Sequence, residues 1–140
     1  MKNLKINHPA AVVCIIVLHV LGFLWYGPLF GESWMRMVGL DMANMEANDP
    51  GIAVWILNFI SCAASVYMLA WLFTKLDVRS GIRGAGIGFL IALCFHHFWT
   101  MSGNMFAGEP YALAWITGGY SLASLSICGF ILGAWTKSQP

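Results

Sequence analysis

Residues 10–30 read AAVVCIIVLHVLGFLWYGPLF and contain no Asp, Glu, Lys or Arg. At 1.5 Å rise per residue, about 20 apolar residues in a helix cross a hydrocarbon core of about 30 Å. Inside lipid the backbone has no water to bond, so such a run closes its hydrogen bonds within itself as a helix. Three more long apolar runs, none with a charged residue in its middle, lie at about residues 51–74, 82–103 and 111–136. The chain is therefore expected to be all-α: a membrane-embedded four-helix bundle forming a single domain over residues 1–140.

Composition agrees. Of the 140 residues, 59% are hydrophobic and 9% are charged, against about 25% charged in an ordinary soluble domain. A water-soluble fold of this size has too little interior to hide so much apolar surface. With a net charge of +1, the chain lacks the clustered basic face that nucleic-acid binding needs, and no nucleic-acid partner is expected. The four cysteines, Cys14, Cys62, Cys94 and Cys128, fall one per apolar run with no CxxC spacing. They are expected to act as small buried hydrophobes. Lys2 and Lys5 ahead of the first run resemble the start of a signal peptide, but no A-x-A-like site follows, so the run is expected to stay as an uncleaved span.

Charge in the connections sets the orientation. Lys2, Lys5, Lys75, Arg79, Arg83 and Lys137 lie on one side of a four-span chain, and only Arg36 lies on the other. Positive residues favour the cytoplasm, so both termini are expected inside, with the chain spanning the cell's inner (plasma) membrane several times. The opposite side holds Glu32, Asp41, Glu46, Asp49 and Glu109. There, residues 32–39 are expected to form a short interfacial helix, with Trp34, Met35 and Val38 toward lipid and Glu32 and Arg36 toward water. Asp49 is a candidate N-cap for the second span. Trp25, Tyr26, Trp34, Trp55, Trp99 and Tyr111 would form the outer aromatic belt, with Trp71 and Trp135 at the inner boundary.

Small residues mark the packing faces. Gly84, Gly88 and Ala92 recur at spacing four on the third span, and His96 continues that arithmetic. Ser126, Gly129 and Gly133 share a face of the fourth span. Asn58, Ser61, Cys62 and Ser65 share one on the second, and His19, Gly22 and Tyr26 one on the first. Large apolar residues such as Ile15, Leu57 and Leu90 are left to meet lipid or another subunit.

Polar groups at membrane depth are the functional candidates, because they are expensive there. His19, Tyr26, Asn58, His96 and His97 form the candidate ligand-binding patch, with His19, Asn58 and His96 expected to converge in the outer half of the bundle. No GxSxG, Ser/His/Asp pattern, phosphate loop or paired intramembrane carboxylate is present, so no catalytic residue is assigned. No HxxxH or HExxH spacing is present either, and neither a metal site nor a cofactor is assigned. The leading reading is a homo-oligomeric channel, carrier or solute-binding protein in the lipid bilayer, acting on a small solute or ion. The alternatives are a membrane enzyme with histidine-ligated haem or metal, and an accessory subunit of a larger membrane complex.

The stretch Leu21-Gly-Phe-Leu-Trp-Tyr-Gly-Pro-Leu-Phe-Gly-Glu-Ser-Trp34 resembles the DUF1761 family of small bacterial membrane proteins. Met105-Phe-Ala-Gly-Glu-Pro110, Ile116-Thr-Gly-Gly-Tyr120 and Gly129-Phe-Ile-Leu-Gly-Ala-Trp135 extend the likeness over nearly the whole chain. The resemblance implies a short multi-span single domain and brings no activity, substrate or cofactor. Trp25, Tyr26, Gly27, Pro28, Phe30, Gly31, Trp34 and Tyr120 match the family motif, and their placement at the outer ends of the first and fourth spans suggests a structural corner or the rim of a site.

Overall fold

The computed structural model describes residues 4–40 and 50–138. Lys2, Asp41, Glu46 and the proposed cap Asp49 lie outside the described residues. Four helices are long and apolar enough to cross a membrane: His8–Leu29, Gly51–Lys75, Gly81–Ala107 and Tyr111–Ala134.

The first begins as α1 (His8–Leu24), capped by Asn7, whose side chain accepts from the Ala10 amide; Pro occupies the first turn. There its missing N–H costs nothing. α1 then opens into a wide π turn, Trp25–Leu29, in which the Phe30 amide donates to the Trp25 carbonyl at 2.9 Å. Pro28 has no amide to continue the ordinary ladder, and Gly27 bends out of helical geometry (φ −104, ψ −106) to let the chain turn. The short α2 (Gly31–Met37) comes next, close to where the sequence placed an interfacial helix, with Glu32 and Arg36 paired at 2.9 Å on its exposed side. Trp34 does not face only lipid as expected: it packs edge-on against Tyr26, with ring centroids 5.6 Å apart.

The second span is α3 (Gly51–Lys75). The third is α4 (Gly81–Ala92), a second π turn (Leu93–His97) and α5 (Phe98–Ala107), which ends on left-handed Gly108. The fourth is α6 (Tyr111–Ala134). A two-residue antiparallel ladder, Leu4–Lys5 with Lys137–Ser138, joins the two ends of the described chain. Asn7 ties the same corner by donating to the Trp135 carbonyl at 2.8 Å.

α6 is the hub. It runs against α4 along most of its length and also touches α1, α3 and α5, whereas α3 and α4, although consecutive, do not pack side by side. The α4–α6 seam is made by glycine. A methyl group on Gly88 would strike the Leu125 carbonyl, one on Gly129 the Gly84 carbonyl, and one on Gly133 the Ser80 carbonyl. Two backbones in contact gain packing that lipid chains cannot match, which is the main force between helices in a bilayer. α1 meets α6 through Cys14 and Cys128, both fully buried, each thiol donating to the other's carbonyl at 3.7 and 3.8 Å.

The hydrophobic core lies toward the terminal side: Ala10, Ala11, Cys14, Ile15, Leu18, Val66, Leu69, Ala70, Phe73, Val78, Cys128 and Leu132. Ile15, expected to face outward, is 8% exposed. Cys94, expected to be buried, is exposed. α3 enters the core only from Val66 onward; Asn58, Ser61 and Ser65 of its expected packing face are not buried, and Cys62 is half-buried.

Candidate functional site

α3 is buried against the others only in its terminal-side half; in the opposite half residues 52–61 are exposed, and the Phe59 ring still reaches His19 of α1. The wedge between α1, α3 and α6 is a cavity of about 500 Å³. α1 and its π turn contribute Leu18, His19, Gly22, Phe23, Tyr26 and Gly27; α3 contributes Trp55, Asn58 and Cys62; α6 contributes Tyr120. No lining residue carries a formal charge.

Three sequence candidates, His19, Tyr26 and Asn58, therefore share one cavity. The 3.6-residue period puts His19, Gly22 and Tyr26 on one stripe of the first span. His19 Nδ1 lies 2.8 Å from the Ile15 carbonyl oxygen. A carbonyl only accepts, so Nδ1 carries a proton, and in the neutral ring Nε2 then holds a free lone pair. The ring rests against Phe59, with centroids 5.5 Å apart. Among the described residues, His19 Nε2, the Tyr26 hydroxyl and the Asn58 amide have no hydrogen-bond partner.

His96 does not join them. It lines a neighbouring groove of about 220 Å³ with Ser61, Ser65, Ser121 and Ser124, and that groove touches the first at Leu18, Cys62 and Tyr120. The π turn explains the difference. Its i→i+5 bond, Phe98 amide to Leu93 carbonyl, adds one residue to the helix turn. The added residue rotates the remainder of the span by about 100°. The buried stripe Gly84, Gly88, Ala92 consequently continues at His97 and not at His96.

His97 is the largest fully buried side chain, at 0% exposure. It sits between Gly118, where a methyl group would collide with Nδ1, and the Trp115 ring at 4.4 Å. Neither ring nitrogen has a hydrogen-bond partner among the described residues. It borders neither the cavity nor the groove. Among the described residues no three His, Cys, Asp or Glu side chains gather in one place.

Tyr120, singled out in the sequence only as part of the family motif, is the central residue. Its hydroxyl donates to the Leu18 carbonyl at 2.9 Å, across the α1–α6 contact. Gly22 makes room, since a methyl group there would stand 3.3 Å from that hydroxyl. The Tyr120 ring packs against Tyr26 and Trp25, at 5.5 and 6.3 Å. Trp25 in turn donates from Nε1 to the Ile116 carbonyl at 2.9 Å and lies over Gly119. The residues between Ile116 and Tyr120 and those between Gly22 and Trp34 are thus one packed corner. A family model described as a protein of unknown function, DUF1761, matches residues 9–133.

The chain belongs to the DUF1761 family. The family match takes in all four spans apart from the last residue of α6 and the first of α1. Searches of curated proteins and of solved structures returned no match. In this DUF1761 chain the aromatic-Gly-Pro stretch has a concrete role: Gly27 and Pro28 create the wide turn, and Trp25 and Tyr26 leave it pointing toward α6 and Tyr120.

Proposed function

We propose that this chain is a small-molecule-binding or transport protein of the membrane, and that its site is the cavity between α1, α3 and α6. One observation carries the reading. Three polar groups without hydrogen-bond partners among the described residues, His19 Nε2, Asn58 and the Tyr26 hydroxyl, line a single cavity at membrane depth with aromatic walls. A mostly apolar hollow of about 300–1,000 Å³ with a few polar groups aimed inward is the usual form of a ligand site.

The domain is taken as a single unit in a bacterial inner membrane, with both termini in the cytoplasm. The distribution of positive charge supports that orientation: Lys5, Lys75, Arg79, Arg83 and Lys137 share the terminal side. The cavity then opens toward the extracytoplasmic half. Homo-oligomerisation is part of the same proposal, because four short spans enclose little interior volume and a solute site forms more easily between subunits.

Asn58→Trp tests the reading, because it fills the cavity from a side chain that supports no packing. The protein is purified in bilayer nanodiscs and the small molecules it retains are measured by mass spectrometry. Retention at least about tenfold lower in the variant is expected, at an unchanged melting temperature. Equal retention by both proteins counts against the cavity as the site.

A further inference from the structure

Given a ligand in that cavity, as proposed above, the geometry points to its class: we infer an uncharged amphiphile that brings a hydroxyl group and enters sideways from the bilayer.

The donor and acceptor pattern selects the head. His19 spends its proton on the Ile15 carbonyl and offers the Nε2 lone pair. Tyr120 spends its proton on the Leu18 carbonyl and offers only its oxygen. Two of the polar groups on the cavity wall, His19 Nε2 in its neutral form and the Tyr120 oxygen, are therefore acceptors, and a ligand hydroxyl meets one of them by donating its single proton. Asn58 both donates and accepts, so it completes the bonding of a hydroxyl, whose oxygen accepts while its proton is donated.

With His19 in its neutral form, the wall carries no charge to pair with an ionic head. Among the cavity-lining residues no Lys or Arg stands ready to neutralise a carboxylate or phosphate, and no Asp or Glu an amine. An unpaired ion at this depth is strongly disfavoured. The body of the ligand is set by Phe23, Tyr26 and Trp55, whose rings suit a hydrocarbon or flat apolar frame.

The route is set by exposure. On α1, Val20 and Phe23 are 54% and 77% exposed, and on α3 Trp55 is 60% exposed. Both rims of the wedge are thus open at a depth where the surrounding solvent is lipid. A molecule already dissolved in the bilayer reaches His19 without crossing water.

Photolabelling separates this class from its rivals. The full-length protein in nanodiscs receives one of three diazirine probes of equal chain length: a fatty alcohol, a fatty acid held ionised at alkaline pH, or the plain alkane. The alcohol is expected to label Phe23 and Trp55 at least about fivefold more than either of the others, and to lose that advantage in His19→Phe and in Asn58→Leu. Two variants are used so that misfolding of one does not decide the result, and each is checked by its melting temperature. Stronger labelling by the acid overturns the class of head and leaves the ligand site standing. Equal labelling by all three overturns the class as well, because the wedge then only holds lipid chains. No cavity labelling by any probe overturns the ligand site itself.

Discussion

The terminal-side half of α3 and the half that precedes Val66 belong to one helix but pack by opposite rules. Toward the termini, α1, α3, α4 and α6 converge on Ala, Gly and Cys, and Val66, Leu69, Ala70 and Phe73 of α3 are all buried. Away from them, residues 52–61 of the same α3 are exposed on every face, and the space they leave is the cavity. In water such a half-helix would collapse onto its neighbours. In lipid it has no reason to, because hydrocarbon chains solvate Leu as well as another Leu does. Close approach must instead come from residues small enough to let backbones touch, and α3 has a compact interface only where it meets Ala10, Ala11 and Cys14. In this chain the tight half of α3 helps to hold the fold together, while its loose half leaves space beside α1 and α6.

The largest expected effect lies on the seam. Gly129→Leu drives a side chain into the Gly84 backbone and is expected to cost about 3 kcal/mol or more. Measured by SDS-induced unfolding in mixed micelles, a cost below about 1 kcal/mol would show that the seam is not what holds α4 against α6. Next come two truncations of one helix. Leu69→Ala leaves a cavity in the core and is expected to cost about 1–3 kcal/mol, the part of the usual penalty that remains when lipid removes the water-transfer part. Leu57→Ala, on the open half, is expected to stay within about 0.5 kcal/mol in the same assay. Equal costs would mean that the two halves of α3 are packed alike.

A smaller effect links His97 to Gly118. Gly118→Ala places a methyl group against Nδ1 and is expected to destabilise by about 1–2 kcal/mol. His97→Ala alone also destabilises, by removing a buried ring. In the double variant the two costs are expected to fall short of their sum by at least about 0.5 kcal/mol, since each change relieves the other. Simple additivity would argue against a direct contact between the ring and Gly118. The smallest effect is at the surface: Glu32→Gln removes an exposed i,i+4 pair and should shift stability by no more than about 0.5 kcal/mol. A larger loss would mean that α2 contributes more to the fold than its exposure suggests.

Much of the fold was legible in the chain. The four spans came from apolar length alone, and the Gly84–Gly88 and Gly129–Gly133 spacings marked the seam. His19, Tyr26 and Asn58 stood out because polar groups contrast with an apolar background. His96 was misplaced by a single assumption, that the third span keeps 3.6 residues per turn throughout. The π turn at Leu93–His97 breaks that assumption, and no proline or glycine lies within it to announce the break. The first π turn did leave a signal, Gly27-Pro28, because proline has no amide to continue the helix ladder. Tyr120 was visible as a motif residue, but its bond to the Leu18 carbonyl spans 102 positions of chain and no local pattern encodes it. The ladder of Leu4–Lys5 with Lys137–Ser138 had no sequence signal at all.

Apolar length and the placement of charge are enough to require four helices fit to cross a bilayer and to locate each of them, because the cost of leaving backbone and charge in hydrocarbon acts residue by residue. Which faces meet and which stay apart is a property of the packed molecule. That choice rests on whether two backbones can touch, and touching depends on the residues of both helices at once: Gly88 meets Leu125 and Cys14 meets Cys128, while Asn58 faces the cavity.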